Sequence, residues 1–450
     1  SDGQEGADME MRYEPTSTTF YDKNDDRRSY VYTFSKFGTL KSVVDSSGGN
    51  YDGFGQFYEY NNGNTEALKK VWKGEYDLQP HETIEDSTFK LTRNACQYSL
   101  DEGETWISLS ENTNTPTVST GNKIMFKATN PSILSYYGIG TFSSTGKFNV
   151  EGNIMSMLYG DNFIGQNDLT GKSYVFYGLF KGCTNIVEAH NLILPATTLS
   201  DSCYRNMLQG CINLTTIPQL LATTLAPYCY NGMFSNCTSL TTAPELPATT
   251  LATYCYTSMF SGCKGLTTAP ELPITTLVPY CYNGMFSNCT SLTTAPELPA
   301  TTLATYCYSD MFSGCTSLTT APELPATTLR NGCYASMFYG CKGLTTAPAL
   351  PATTLADSCY RYMFNGCTSL TTAPELPATT LASSCYYYMF YGCSSLNNIV
   401  MLATDISAQN CLYYWVYGVA STGAFVKHPD MTSLPSGKNG IPNGWEVENC

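Results

Sequence analysis

The stretch Cys281–Tyr308 reads CYNGMFSNCTSLTTAPELPATTLATYCY, and it begins and ends on the same two residues. Most of its interior recurs along the chain. The first cysteine of each copy stands at Cys203, Cys229, Cys255, Cys281, Cys307, Cys333, Cys359, Cys385 and Cys411, always 26 residues apart. The second follows eight residues later, at Cys211, Cys237, Cys263, Cys289, Cys315, Cys341, Cys367 and Cys393. An earlier half-unit places Val175 and Cys183 in the same two columns. Of 20 cysteines, only Cys96 and Cys450 lie outside them. A fixed period of this length is the signature of a solenoid, in which each repeat buries its apolar face against its neighbours.

The columns also predict local structure. Two residues after the Leu of each Thr-Thr-Leu stand Asp201, Pro227, Thr253, Pro279, Thr305, Asn331, Asp357 and Ser383. Most suit a helix N-cap, and proline suits the first helical turn. Just before the second cysteine stand Gly210, Asn236, Gly262, Asn288, Gly314, Gly340, Gly366 and Gly392, residues that tolerate the left-handed conformation ending a helix. A helix of about two turns is therefore expected between these columns. Cys255 and Met259, and Tyr256 and Phe260, are four apart, which places them on one helical face. The intervening pairs Thr257-Ser258, Ser309-Asp310 and Arg361-Tyr362 vary as a solvated face does. After the helix, Leu240–Ala243 suits a short strand stopped by Pro244, and the Ala-Thr-Thr segment a second one. A helix this short is unstable alone, so stacking has to support it.

The run LPATTLATYCYSDMFSGCTSL resembles the BspA-like leucine-rich repeat of bacterial surface proteins. Met311-Phe312 stands for that family's Ala-Phe, Gly314-Cys315 and Leu318 match, and Cys307 takes the place of Ile. The likeness covers roughly 170–418. It departs in length, 26 rather than about 23 residues, through an added Pro-Glu-Leu-Pro. The resemblance implies an α/β leucine-rich-repeat solenoid, with host-protein or cell–cell adhesion as its function.

Three roles compete for the cysteines. Eight residues along a helix span about 12 Å, beyond the roughly 7 Å Cα separation that a disulfide tolerates. Bonds within a repeat are thus disfavoured. Bonds between neighbouring coils of the second column stay open, although alternate pairing would break the repeat symmetry. Cys-x7-Cys is not a zinc spacing, and no histidine recurs with it. Buried free thiols, packing as small apolar groups, are the favoured reading.

The flanks differ. Residues 1–84 form an expected β-rich region and 85–165 a β-sandwich-like module, before a solenoid of eight to nine coils at 166–418 and a C-terminal cap at 419–450. Apolar residues alternate in RRSYVYTF and GFGQFYEY, CQYSLDEGETWISLS reads as a hairpin turning at Asp101-Glu102-Gly103, and GNKIMFKATN as a further strand. FNVEGNIMSMLYGDNF leads into the first coil. Trp415 and Val416 replace Met-Phe where the repeat fails, and the turn-rich tail resembles the cap of these proteins. The opening SDGQEGADME resembles the tether following the lipidated cysteine of an exported bacterial lipoprotein, which implies an anchor upstream of Ser1 and a place at the outer-membrane surface or in the periplasm.

Only 13% of residues are charged, about half the usual share, and the formal charge is -14. An acidic chain argues against nucleic acid. No apolar run reaches the ~18 residues of a membrane span. His81, His190 and His428 share no motif, and no nucleophile elbow, phosphate loop or zinc-protease helix is present. No catalytic residue, metal or cofactor is expected. The ordered exposed columns are the candidate binding residues: the Thr column around Thr242 and the Glu column Glu245, Glu271, Glu297, Glu323 and Glu375, interrupted by Ala349. The plainer reading of the Glu column is a solubilising turn position, and the Tyr204–Tyr386 column reads as core edge. Two functions follow: a non-enzymatic binder or adhesin whose repeats meet a protein or glycan on a cell surface or matrix, or a glycan binder that uses Trp106, Tyr136 and Tyr137 of the β module with the repeats as a stalk.

Overall fold

The computed structural model describes residues 83–128 and 139–450, together with the backbone of six strands upstream. Strands β1 (Met9–Glu14), β2 (Ser17–Asp22), β3 (Asp25–Phe34), β4 (Leu40–Asp45) and β5 (Asn50–Asp52) form an antiparallel sheet in sequence order. RRSYVYTF lies on β3 as expected, whereas GFGQFYEY, Tyr136 and Tyr137 lie outside the described residues.

The next segment is built from small sheets. Strand β6 (Gln79–Thr83) precedes β7 (Phe89–Leu91), β8 (Cys96–Ser99), β9 (Ile107–Leu109), β10 (Met125–Lys127), β11 (Phe142–Ser144) and β12 (Phe148–Asn153). The hairpin β8–β9 pairs Cys96 with Leu109, and β10 joins β8 on the other side. Its turn is where the sequence put it: Glu102 and Gly103 take φ of 57° and 90°, and Ser99 Oγ donates to Asp101 Oδ1 at 2.7 Å. Phe89, Phe126, Phe142 and Phe148 pack together between these strands with centroids 4.8–6.1 Å apart, edge to face except for the tilted pair Phe89–Phe142. A one-turn helix α1 (Ser156–Tyr159) follows. Strand β12 pairs in parallel with β13 (Leu192–Ile193), so the β module supplies the first rung of the solenoid.

From there the chain winds in coils of 26 residues. The Leu-Thr-Thr-Ala segments lie in parallel, as expected, but meet in single rungs rather than a continuous sheet: Thr242 with Thr268, Thr268 with Thr294, Thr320 with Thr346. The Ala-Thr-Thr segments form a second set, including Thr224 with Thr250 and Thr302 with Thr328.

The expected two-turn helices do not form, and the α/β assignment is corrected here. The Ala226–Cys237 segment is a chain of overlapping β-turns. The N–H groups of Cys229, Asn231, Met233, Ser235 and Cys237 each bond the carbonyl three residues back, at 3.1–3.2 Å. The alternate N–H groups, of Tyr228, Tyr230, Gly232, Phe234 and Asn236, bond carbonyls of the next coil at 2.7–3.1 Å. Tyr228, Gly232 and Asn236 have φ of 54°, 61° and 61°. A left-handed residue at every fourth position forbids the i to i−4 bonds of a helix. The turns gain a bonded neighbour in exchange, which a helix would not. Pro227 therefore serves as the second residue of a turn whose third has positive φ, the type II arrangement, and not as a helix start.

One hydrophobic core runs from Phe89 to Trp445. In every central coil Cys, Tyr, Met, Phe, Cys and Leu are buried, as at Cys281, Tyr282, Met285, Phe286, Cys289 and Leu292. Rings stack coil upon coil. Phe176, Tyr204, Tyr230, Tyr256, Tyr282, Tyr308, Tyr334, Tyr360, Tyr386 and Trp415 form one ladder with centroids 5.6–6.2 Å apart. At the C-terminal end β14 (Asn398–Met401), β15 (Ala424–Lys427) and β16 (Glu446–Asn449) pair in parallel. Trp415 Nε1 donates to the Gly440 carbonyl at 3.0 Å and Trp445 Nε1 to that of Ala420 at 2.7 Å, so the tail seals the last apolar face.

Candidate binding surfaces of the repeat array

The Thr and Glu columns emerge from the single-rung segments. In each coil both threonines of Leu-Thr-Thr are exposed, from Thr241-Thr242 to Thr371-Thr372. The first hydroxyl is partly committed to structure: Thr345 Oγ1 donates to the Thr319 carbonyl at 3.2 Å, and Thr215 Oγ1 to that of Val187 at 2.9 Å. The second, the Thr242 column, sits at the rung itself. Three residues on, Glu271, Glu297, Glu323 and Glu375 are exposed, while Glu245 is half-buried. The Leu beside each Glu turns inward: Leu272, Leu298 and Leu324 are buried. Pro-Glu-Leu-Pro thus holds a carboxylate outward on a rigid, anchored turn.

The cysteine columns are all buried thiols, with no disulfide. Burial pushes Cys263, Cys281 and Cys333 up to about 12, so they hold their protons at physiological pH. The two columns differ in a way the spacing did not show. Each second-column Sγ–H donates to the carbonyl of the Phe-column residue one coil earlier: Cys237 to Leu208 (3.2 Å), Cys263 to Phe234, Cys289 to Phe260 and Cys315 to Phe286 (all 3.1 Å), and Cys393 to Phe364 (3.0 Å). First-column Cys307 makes no such bond, and Cys255 Sγ stands 4.0 Å from the Cys281 carbonyl.

The other candidates stay apart. His190 Nδ1 is 3.2 Å from Thr216 Oγ1, and His428 Nδ1 accepts from the Asp430 N–H at 3.1 Å; the His81 side chain lies outside the described residues. Among the described residues no three of His, Cys, Asp and Glu gather where they could hold a metal ion. Trp106 is half-buried with the Lys127 ammonium 4.0 Å from its ring centroid, so one ring face is already covered.

A further surface feature lies on the turn ladder. Tyr228, Tyr254, Tyr280 and Tyr306 precede first-column cysteines, stack at 4.4–5.1 Å, and all have positive φ. Near the C-terminal end Tyr362, Tyr388 and Tyr414 also take positive φ in the column four residues on, with Tyr388 stacked on Tyr414 at 5.3 Å and tilted by 34° against Tyr362 at 5.2 Å. The signal was present in that column: Asn206, Gly232, Ser258, Gly284, Asp310 and Ser336 are mostly residues that accept positive φ at low cost, and they were read as a solvated helix face.

Stacked parallel coils, Leu at each inward turn and capped ends define a leucine-rich-repeat solenoid. The BspA type leucine rich repeat region matches in six copies over residues 172–345 and 335–414, more than half of the chain, and the chain belongs to that family. No curated protein and no solved structure matches it.

Proposed function

We propose that this is a non-enzymatic, exported binding protein of the cell surface, whose repeat array engages a protein or glycan partner through its outward Thr and Glu columns. The observation that carries the reading is the regular repetition of exposed Thr pairs and exposed carboxylates, one set per coil. Such a surface offers many equivalent weak contacts, which add through multivalency. Family membership supports a surface-binding role, and no helix among the described residues is long and apolar enough to cross a membrane.

The test is a series of deletions of whole 26-residue units from the middle of the array, with both ends kept. It is assayed on the partner that a glycan and extracellular-matrix array identifies. Affinity is expected to fall gradually with coil number, and to weaken with salt because exposed carboxylates are screened over about 8 Å at physiological ionic strength. Full binding by residues 1–165 alone would reduce the repeats to a stalk.

A further inference from the structure

Three outward columns of the turn ladder change character along the array. In the coil of Cys255 they hold Thr257, Ser258 and Ser261, and in the coil of Cys281, Asn283, Gly284 and Ser287. In the last two coils all three are tyrosine: Tyr387, Tyr388 and Tyr391, then Tyr413, Tyr414 and Tyr417. Tyr339 and Tyr362 lead into them.

The middle column makes the change informative. Its backbone is left-handed in every coil, and Tyr362, Tyr388 and Tyr414 have φ of 57°, 54° and 53°. A bulky residue there costs about 1–2 kcal/mol relative to the glycine of earlier coils. Folding does not require the ring, because Gly232 and Gly284 serve the same position. In the last coil Tyr413 is 37% and Tyr417 49% exposed, while Tyr362, Tyr387, Tyr388, Tyr391 and Tyr414 are half-buried.

The patch has chemistry beyond apolar area. The Arg361 guanidinium lies 5.0 Å from the Tyr362 centroid and 4.8 Å from that of Tyr387. Lys438 Nζ is 3.9 Å from the Tyr414 centroid and 2.5 Å from its hydroxyl. The ladder segments 356–367, 382–393 and 408–419 carry one acidic residue, Asp357, in a chain of charge -14. Beside Tyr417 an open depression of about 320 Å3 lies between Ser421, Lys438 and Asn443. The backbone beneath is spent: Tyr388 N–H bonds the Tyr413 carbonyl at 2.9 Å, and Tyr387 and Tyr391 N–H groups bond within their own turns. No free strand edge is left there for an extended peptide. The rings themselves stack coil on coil, Tyr387 on Tyr413, Tyr388 on Tyr414 and Tyr391 on Tyr417 at 5.2–5.3 Å, so recognition must come from the exposed Tyr413 and Tyr417 of the last coil, phenol hydroxyls and two cations.

We propose that the tyrosine patch of the last coils, with Arg361 and Lys438, binds a carboxylate-bearing polysaccharide: sugar rings pack on the exposed Tyr413 and Tyr417, one saccharide unit settles in the open depression beside Tyr417, and carboxylates meet the cations. This rests on the reading of the array as a binder and names the partner class and a second surface for it.

The experiment uses the full chain and isothermal titration with polygalacturonate and hyaluronan oligosaccharides, with neutral dextran as the control. The acidic glycans are expected to bind and dextran to bind at least tenfold more weakly. Tyr413→Ser with Tyr417→Ser is expected to lower affinity about tenfold or more, through lost stacking. Arg361→Gln with Lys438→Gln is expected to abolish the difference between acidic and neutral glycans. Tyr388→Gly, which relieves the backbone, checks that binding falls without loss of melting temperature. No binding of either acidic glycan, equal binding of dextran, or unchanged affinity in the Tyr413/Tyr417 variant overturns the inference, as does capture of a folded protein or a second copy of the chain with no glycan. Deletion of middle coils tests the Thr and Glu columns separately, because it leaves this patch intact.

Discussion

Cys307 and Cys315 belong to the same coil and are both fully buried, but only Cys315 faces a carbonyl of the preceding coil. Cys315 Sγ donates to the Phe286 carbonyl at 3.1 Å; Cys307 makes no such bond. Serine and alanine should therefore rank oppositely at the two sites. At position 307 a hydroxyl would be buried with no carbonyl of the preceding coil aimed at it, so Cys307→Ser is expected to cost about 1–3 kcal/mol. Cys307→Ala loses only a small packed atom there, about 1 kcal/mol. At position 315 serine keeps a donor aimed at the Phe286 carbonyl, and Cys315→Ser is expected to cost under about 1 kcal/mol. Cys315→Ala removes the donor, and the loss is of order 1 kcal/mol. It is not larger because the Phe286 carbonyl still accepts the Cys289 N–H at 3.0 Å. Urea unfolding of the four single variants measures the ranking, with the transition midpoint as the readout because an array need not unfold in one step. The reasoning is refuted if Cys315→Ser is as damaging as Cys307→Ser, or if alanine and serine rank alike at both sites. A thiol reagent should find both cysteines inaccessible in the folded chain and reactive in denaturant.

Three further outcomes are expected. Trp415 closes the ring ladder and bonds Gly440, so Trp415→Ala should cost about 3–5 kcal/mol and raise proteolytic sensitivity of the tail first, read by limited proteolysis. Gly366 has φ 75° with the Gly340 Cα 3.6 Å from where a Cβ would stand, so Gly366→Ala should cost about 1–2 kcal/mol from backbone strain alone, read by thermal melting. Burial on β12 pushes Glu151 up to about 7, against the opposing pull of Lys123 at 3.9 Å. The folded chain then keeps this proton after the unfolded chain has lost it. Stability should fall as pH rises from about 4.5 through 7, and Glu151→Gln should flatten that slope and stabilise at pH 8 by on the order of 2 kcal/mol, after allowance for partial exposure.

The helix expectation failed for a reason visible in particular residues. Cys255, Tyr256, Met259 and Phe260 recur four apart, and both a helix and a ladder of turns bury such a set together. Asn236 and Gly262 were correctly read as left-handed, but as helix ends rather than as one of three left-handed positions per segment. Gly232 and Gly284 carried the missing signal, since glycine in the middle of a short helix would only weaken it. The Thr242 and Glu271 columns were legible as outward because they repeat without a core role. The tyrosine patch was not, because its rings come from three sequence columns that converge only when coils stack.

The amino-acid order by itself determined the repeat, its period, the buried set of each coil, the parallel course of the rungs and the need for a sealing tail. Each of these follows from periodicity and from the requirement that a small unit hide its apolar face against a copy of itself. Three things were decided by the tertiary structure alone. Helix or turn was settled by whether alternate amides could find carbonyls one coil away, a partner that no single repeat contains. The roles of the two thiol columns were settled by which of them faces a carbonyl of the preceding coil. The surface that a partner can meet was settled by which rings and cations stacking brings side by side, as it does Arg361, Tyr362 and Tyr387.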